Sequence, residues 1–309
     1  MTTTSAQQTL PNFFIVGAPK CGTTSMYEYL RQHPQIFFPS VDDDYWRSKE
    51  PNHLCPELGI QDKYSIKDRL DYLELYKGGA QAKWRGDASP YYLMSEAAPA
   101  AIKALSPAAR ILVMLRPPVE MMRSYHRDLL RIHLEDVADF WDALMVSADD
   151  DGPMAPQRRP GRPDYLDYVS VSRYAAQVRR YQQTFGAGSV KVVLLEDLVA
   201  APATTFRDIL TFLQVDESFQ PEFRVHNEKP NEDAGRIERL VGHIYALPGV
   251  KRLTHAFAPY QVRRRVLTSI RQREGRDKPI DPRAKELQRW CRADVDQLSG
   301  LIERDLSHW

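Results

Sequence analysis

A short apolar run, FFIVG at Phe13–Gly17, leads into the loop APKCGTTS and then into a helical pattern. In a strand, loop and helix of this kind, the backbone N–H groups of the loop and of the first helical turn point at one spot. The helix dipole adds a fractional positive charge there, so an oxyanion is the expected ligand. Gly17 and Gly22 keep the spacing of a P-loop, but Thr23 follows Gly22 where a lysine is usual, and Lys20 lies inside the loop.

Short apolar or β-branched runs alternate with helical patterns along most of the chain, which is typical of βαβ units. The predicted strands are Phe13–Gly17, Ile36–Phe38, Ala82–Gly86, Arg110–Leu115 and Val190–Leu195. Continuous apolar strands indicate a sheet that is buried on both faces. We therefore predict an α/β fold, a P-loop-like single domain over residues 1–309 whose central parallel sheet is covered by helices on both faces.

Three parts of the chain depart from this pattern. Residues 1–11 are expected to be a flexible N-terminus, and residues 145–165 a surface excursion or a lid. Residues 226–309 are expected to be helical, with an amphipathic helix from Pro282 to Leu301. Ser65 and Asp68 have the spacing of a capping box and predict a helix start.

The composition of the chain argues against several classes of protein and of site. The 309 residues carry a net charge of only +1, which argues against a general nucleic-acid-binding protein because such proteins need a basic excess. The longest apolar stretches, such as ILVML, are too short to span a membrane, and no signal-peptide pattern opens the chain, so we expect a cytoplasmic protein. The three cysteines are widely spaced and lack a CxxC pair, which supports neither a disulfide framework nor a metal site. A helix N-terminus would lower the pKa of the Cys21 thiol, but a small side chain in a tight loop is the favoured interpretation of this residue.

A second anionic site is indicated by the segment RILVMLRPPVEMMRSYHRDLL, in which a buried-type strand ends at Arg116 and two prolines start a helix carrying Ser124. In open α/β sheets ligands bind outside the carboxyl ends of the strands, so Arg116 is expected at the same edge as the Lys20 loop. A phosphate cradle with a second cationic corner suits a ligand with two separated phosphates. Taken alone, Arg116 could equally be a solvated arginine at a strand end.

Together these segments resemble the sulfotransferases that use 3′-phosphoadenosine 5′-phosphosulfate (PAPS). PKCGTTSMYEYL is similar to the family's PKxGTTxL, and LRPPVEMMRSYHRDL to its LRxPxxRxxSxY. Further likeness lies in SKEPNHL, GDASPYYL and LLEDLVAAP, so the resemblance covers nearly the whole chain. Pro117 stands where the family usually has an acidic residue.

The resemblance implies roles for both motifs. Lys20 would hold the bridging oxygen of the phosphosulfate. The remaining 5′-phosphate contacts would come from Cys21, Gly22, Thr23, Thr24 and Ser25. Arg116 and Ser124 would bind the 3′-phosphate. A sulfuryl group carries less charge than a phosphoryl group, so a lysine and a helix terminus can suffice for charge stabilisation. We therefore expect PAPS as the co-substrate and no requirement for a metal.

The general base is also implied by the resemblance. Family members use either a histidine after the third strand or a glutamate after the second. Here SKEPNHL resembles the KExHFF segment of the glycan-modifying and bacterial members, which predicts Glu50 as the base with Lys49 beside it. His53 is the second candidate, since histidine titrates near neutral pH. Asp87 and Ser89 are candidates for the acceptor pocket, although the turn-forming sequence DASP is explanation enough for them.

Two alternatives remain open at this point. A P-loop kinase would need magnesium and a lysine at position 23, and a non-catalytic nucleotide-binding protein would need no base. The sequence does not identify the acceptor, for which a glycan, a lipid or a small-molecule alcohol is compatible with Glu50. It does not predict the oligomeric state either.

Overall fold

The structure, a computed structural model, describes residues 9–40, 45–147, 163–223 and 282–309. The described residues as far as 223 and those from 286 onward belong to one compact unit. Most of the predicted 145–165 excursion, residues 226–281 of the C-terminal part and the first eight residues lie outside the described ranges. The single domain over 1–309 therefore stays a prediction.

Five strands of the described residues form one parallel sheet in the order β2-β3-β1-β4-β5. They are β1 Phe13–Gly17, β2 Ile36–Phe37, β3 Trp84–Asp87, β4 Arg110–Leu115 and β5 Val190–Leu194. The chain moves from β1 to one side of the sheet for β2 and β3, and then to the other side for β4 and β5. The direction of winding therefore reverses at β1. Ligands of open α/β sheets bind in the crevice at such a reversal.

Strand β1 lies at the centre of the sheet, and all five of its residues are buried. Phe13 is in register with Gly86 of β3 on one side and with Arg110 of β4 on the other. A strand with neighbours on both edges and helices over both faces has no position for a polar side chain, which explains its unbroken apolar sequence.

Helices connect the strands and flank the sheet, which confirms the predicted fold class. They are α1 Thr23–Leu30, α2 Tyr45–Lys49, α3 Arg69–Glu74, α4 Ala98–Leu105, α5 Pro118–Arg131, α6 Phe140–Ser147, α7 Tyr168–Ser172, α8 Tyr174–Phe185, α9 Leu195–Ala200, α10 Pro202–Leu213 and α11 Pro282–Ile302. The last confirms the amphipathic helix predicted from Pro282. Within the described ranges, no helix combines the length and the apolar character needed to cross a bilayer.

The predicted bounds of β1 and β4 match the structure, whereas those of β3 do not. The Ala82 N–H donates to the carbonyl of Gly79 at 3.0 Å and closes a turn, so pairing starts only at Trp84, next to β2. At its other end β3 includes Asp87, which is in register with Phe14. The strand therefore extends to the first polar residue of the segment GDASP.

The predicted capping box at Ser65 and Asp68 is wrong. Helix α3 begins at Arg69, with Asp68 as its N-cap; the Asp68 carboxylate accepts the backbone N–H groups of Leu70 and Asp71. The Ser65 hydroxyl instead donates to carbonyls of the preceding loop. Asp68 alone therefore caps the N-terminus of α3, a role that the predicted capping box divided between Ser65 and Asp68.

Gly86 of β3 tests the packing of the sheet. A Cβ at this position would lie 2.1 Å from Cε1 of Phe38, whereas a Cβ at Gly188 would meet nothing in the described residues within 4 Å. We expect Gly86→Ala to lower the free energy of unfolding by about 1–3 kcal/mol, because the ring must shift in a packed core. Gly188→Ala is the matched control and should change it little. Urea unfolding measures both, and equal midpoints for the two variants would contradict this account.

Candidate active site

The loop between β1 and α1 is shaped by residues with left-handed backbone. Lys20 has φ 62° and Gly22 has φ 86°. A Cβ at Gly22 would lie 2.7 Å from Cδ1 of Leu195, so only glycine fits there. The first backbone bond of the helix runs from the Met26 N–H to the Gly22 carbonyl at 3.1 Å. The amides of the first turn, Thr23 to Ser25, precede this bond and belong to the end of a helix that favours an anion.

Lys20 is held by a carboxylate that the sequence interpretation missed. Its Nζ lies 3.3 Å from Oδ1 of Asp128, on α5, and the two side chains are 31% and 24% exposed. Arg131 donates to the same carboxylate. Burial opposes ionisation of Asp128, but the charges of Lys20 and Arg131 outweigh it and hold its pKa below the ordinary value. Asp128 follows Ser124 by one helical turn, which is the only signal in the sequence for its position.

Arg116 joins the end of β4 to the same loop. Its Nη1 donates to the carbonyl of Lys20 at 3.4 Å, and its Nη2 pairs with Glu120 one turn along α5. The predicted proximity of the Lys20 loop and Arg116 is therefore observed. Ser124 lies two turns into α5 and is half-buried.

Positive charge accumulates around Arg116. The Nε atoms of Arg116 and Arg123 are buried and have no hydrogen-bond partner among the described residues. Partial burial, together with the charges of Arg116 and Arg123, lowers the pKa of Arg127. Clustered guanidinium groups with unsatisfied donors are a site that an anion would stabilise.

Glu50 directly follows α2, and its side chain is 21% exposed. Its carboxylate pairs with the ammonium of Lys49, which is fully buried and lies 5.8 Å from the centre of the Tyr27 ring. Burial raises the pKa of Tyr91; a hydrogen bond with Tyr125 opposes this, and the charges of Glu50 and Asp128 add to it. The Ala88 N–H, directly after β3, donates to the carbonyl of Lys49 at 3.3 Å. The segment of Glu50 therefore lies at the carboxyl end of β3, the neighbour of β1, whose own carboxyl end leads into the Lys20 loop.

The other predicted site residues do not point into this neighbourhood. The His53 ring stacks on Tyr72 at 4.3 Å between centroids, and its Nδ1 bonds to the carbonyl of Ile66 at 2.8 Å. Asp87 and Ser89 are buried and are hydrogen-bonded to each other. This geometry favours structural roles for all three residues.

Cys21 agrees with the favoured interpretation, a small side chain in a tight loop, since it is fully buried. Burial raises the pKa of this thiol to about 12, against the opposing charge of Arg116. Its Sγ donates to the carbonyl of Pro19 at 3.4 Å, so the side chain points into the protein and not toward the cradle. Only the backbone of Cys21 is available to a ligand. In the described part of the chain, no group of His, Cys, Asp and Glu side chains is arranged to hold a metal ion.

Comparison with known proteins now identifies the family. The model of the sulfotransferase family matches residues 11–221, which include the Lys20 loop, Glu50 and Arg116. The chain belongs to the sulfotransferase family.

A solved sulfotransferase from Alicyclobacillus acidocaldarius is similar to this sulfotransferase over 97% of this chain and 98% of its own, with 28% sequence identity and a TM-score of 0.62. Human carbohydrate sulfotransferase 15 is 28% identical over 152 residues, which cover 37% of this chain and 26% of that protein. Human bifunctional heparan sulfate N-deacetylase/N-sulfotransferase 2 is 27% identical over 211 residues, which cover 67% of this chain and 22% of that protein. This sulfotransferase thus spans about a quarter of these two relatives.

The ion pair between Lys20 and Asp128 predicts that removal of the Asp128 carboxylate raises the affinity for an anionic ligand. Asp128→Asn removes the carboxylate that occupies Lys20 and keeps its size. We expect binding of 3′-phosphoadenosine 5′-phosphate (PAP), measured by calorimetry at low salt, to tighten about fivefold, because roughly 1 kcal/mol of competing attraction is lost. Asp296→Asn, which breaks an exposed pair with Arg292 on α11, is the matched control. Weaker binding to Asp128→Asn would mean that this carboxylate supports the ligand.

Proposed function

We propose that this chain transfers the sulfuryl group of PAPS to a hydroxyl group of a carbohydrate acceptor, by in-line, metal-independent transfer with Glu50 as the general base. The observation that carries the proposal is the convergence of three features at one edge of the sheet. They are the glycine-shaped loop with Lys20, the arginine cluster around Arg116, and the partly exposed carboxylate of Glu50.

The residues present fit a ligand with two anionic groups. Lys20 and the amides from Gly22 to Ser25 would hold the 5′-phosphosulfate, and Cys21 would contribute only its backbone. Arg116 and Ser124 would hold the 3′-phosphate, which would satisfy the buried Nε of Arg116. PAPS supplies a sulfuryl group that is already activated by its bond to phosphate. Lys20 is suited to stabilise negative charge on the departing phosphate, because it can exchange a partly exposed partner, Asp128, for that charge.

Glu50 is suited to accept the proton of the acceptor hydroxyl. It is partly exposed, while its partner Lys49 is buried beneath it. The ion pair fixes the carboxylate in place, and a carboxylate held in this way can accept the proton of a hydroxyl group. His53 remains the second choice, since its ring faces Tyr72.

The names of the relatives support a carbohydrate acceptor. One is called a carbohydrate sulfotransferase, and the other is named as a heparan sulfate N-deacetylase/N-sulfotransferase. A lipid or a small-molecule alcohol is a weaker candidate because no relative reported above is named for one. The kinase alternative is disfavoured because Thr23 stands where a P-loop has its lysine.

Binding of PAP tests the cofactor. By calorimetry without magnesium, we expect tight binding that is selective over ATP and that weakens about 10- to 100-fold in Lys20→Ala and in Arg116→Ala, because each variant removes a charge-assisted contact. Arg110→Ala is the matched control, since Arg110 begins β4 at the opposite edge of the sheet and bonds to Gly188. Preference for ATP with magnesium would contradict the proposal.

Turnover tests the base and the acceptor. With radiolabelled PAPS and either desulfated heparan sulfate or octyl glucoside, we expect Glu50→Gln to lose about 10²- to 10⁴-fold in kcat and to bind PAP as well as the wild type, because the base is lost and no group assigned to the cofactor is changed. Glu74→Gln, at an exposed ion pair with Lys77, is the control.

Different results would contradict the assignment of the base and the assignment of the acceptor. Full turnover by Glu50→Gln would exclude Glu50 as the base. Tight PAP binding by the wild type without transfer to either acceptor would contradict the carbohydrate class.

A further inference from the structure

The carboxylate of Asp87, at the end of β3, is buried and accepts hydrogen bonds from three hydroxyl groups. Ser89 donates to Oδ1 at 2.7 Å, and Tyr72 and Tyr92 donate to Oδ2 at 2.9 and 3.0 Å. Burial raises the pKa of Asp87 to about 6, and the three hydroxyl groups oppose this. A carboxylate can only accept hydrogen bonds, which agrees with the three hydroxyl groups that donate to Asp87.

Two of these hydroxyl groups also hold the backbone that follows Glu50. The Asn52 N–H donates to Oγ of Ser89 at 3.0 Å, and the Leu54 N–H donates to the hydroxyl oxygen of Tyr92 at 3.2 Å. Because Asp87 draws both hydroxyl protons toward itself, the lone pairs of Ser89 and Tyr92 remain for the two amides. In the described residues, the Tyr72 hydroxyl makes no bond to this backbone.

The same backbone is held on the side of Glu50. The Ala88 N–H donates to the carbonyl of Lys49 at 3.3 Å. The side-chain amide of Asn52 donates to the carbonyl of Glu50 at 3.0 Å and to that of Tyr64 at 2.9 Å. Asn52 has φ 47°, a conformation that asparagine tolerates better than most residues. Contacts to Lys49, Glu50, Asn52 and Leu54 thus fix the segment around the proposed base.

We propose that Asp87 is a positioning residue for Glu50, which acts through Ser89 and Tyr92 on the backbone of residues 49–54. This inference rests on the proposed function. It replaces the expectation that Asp87 and Ser89 contact the acceptor, because neither side chain is accessible. Tyr72 offers a matched comparison, since its hydroxyl donates to the same carboxylate oxygen as that of Tyr92 but makes no hydrogen bond to the segment among the described residues. The Tyr72 ring, which stacks on His53, is kept in Tyr72→Phe.

Amide-resolved hydrogen exchange of the ligand-free protein tests the contacts directly. We expect the Leu54 amide to exchange at least tenfold faster in Tyr92→Phe and the Asn52 amide at least tenfold faster in Ser89→Ala. Asp87→Asn should speed up both amides, because an amide side chain no longer orients both hydroxyl groups. Tyr72→Phe should leave both at the wild-type rate. Unchanged exchange in Ser89→Ala and Tyr92→Phe would overturn the inference.

Kinetics test the connection to Glu50. With the acceptor turned over by the wild type, we expect kcat to fall about tenfold in Ser89→Ala and Tyr92→Phe, with PAP affinity unchanged, and to stay within twofold in Tyr72→Phe. Combined with Glu50→Gln, the first two variants should cause no further loss, because they act through that residue. Full turnover by them while Glu50→Gln is inactive would overturn the inference. Full turnover by Glu50→Gln would instead overturn the proposed function.

Discussion

The parallel pairing of β1 with β4 is the interaction on which the rest of the site depends. The Ala18 N–H donates to the carbonyl of Met114 at 2.7 Å just where β1 ends, and this bond carries the pairing into the loop. The same register brings Arg116 within 3.4 Å of the carbonyl of Lys20. Two cationic residues separated by almost a hundred positions in sequence thus meet because two apolar strands align. The Lys20 loop and Arg116 would not form an anion site of this kind if the strand pairing did not bring them together.

The positive charge gathered by this pairing has a cost in the absence of a ligand. Within the described part of the chain, Arg116 and Arg123 have buried donors without partners, and the charges of both lower the pKa of Arg127. Asp128 offsets part of this at Lys20, but it does so through a pair that is still about a quarter to a third exposed. Pairs with such access to water contribute little net stability, so a ligand can replace them at small cost. A buried pair would be much harder to exchange.

Sequence patterns predicted the parts of the molecule that depend on local order. The bounds of β1 and β4 followed from unbroken apolar runs, and the Lys20 loop followed from its glycine spacing. Asp128 could not be predicted in this way, because its contact with Lys20 depends on the rotation of α5 and on where that helix crosses the loop. At Cys21 a helix terminus would lower the thiol pKa, but burial, which the sequence does not display, has the larger effect and raises it. The stacking of His53 on Tyr72 likewise depends on tertiary packing that the sequence does not display.

Asp87 raises the question of why a charge is kept in the interior next to the sheet. Burial opposes its ionisation, so a neutral residue of similar shape would serve the packing of β3 at least as well. An ionised carboxylate has one property that a neutral amide lacks, since all of its hydrogen bonds are accepted ones. It therefore dictates the direction of every hydroxyl around it, and Ser89 and Tyr92 pass that direction on to the amides of Asn52 and Leu54. The charge specifies a conformation of the backbone beside Glu50, which is a sufficient physical reason for retaining it there.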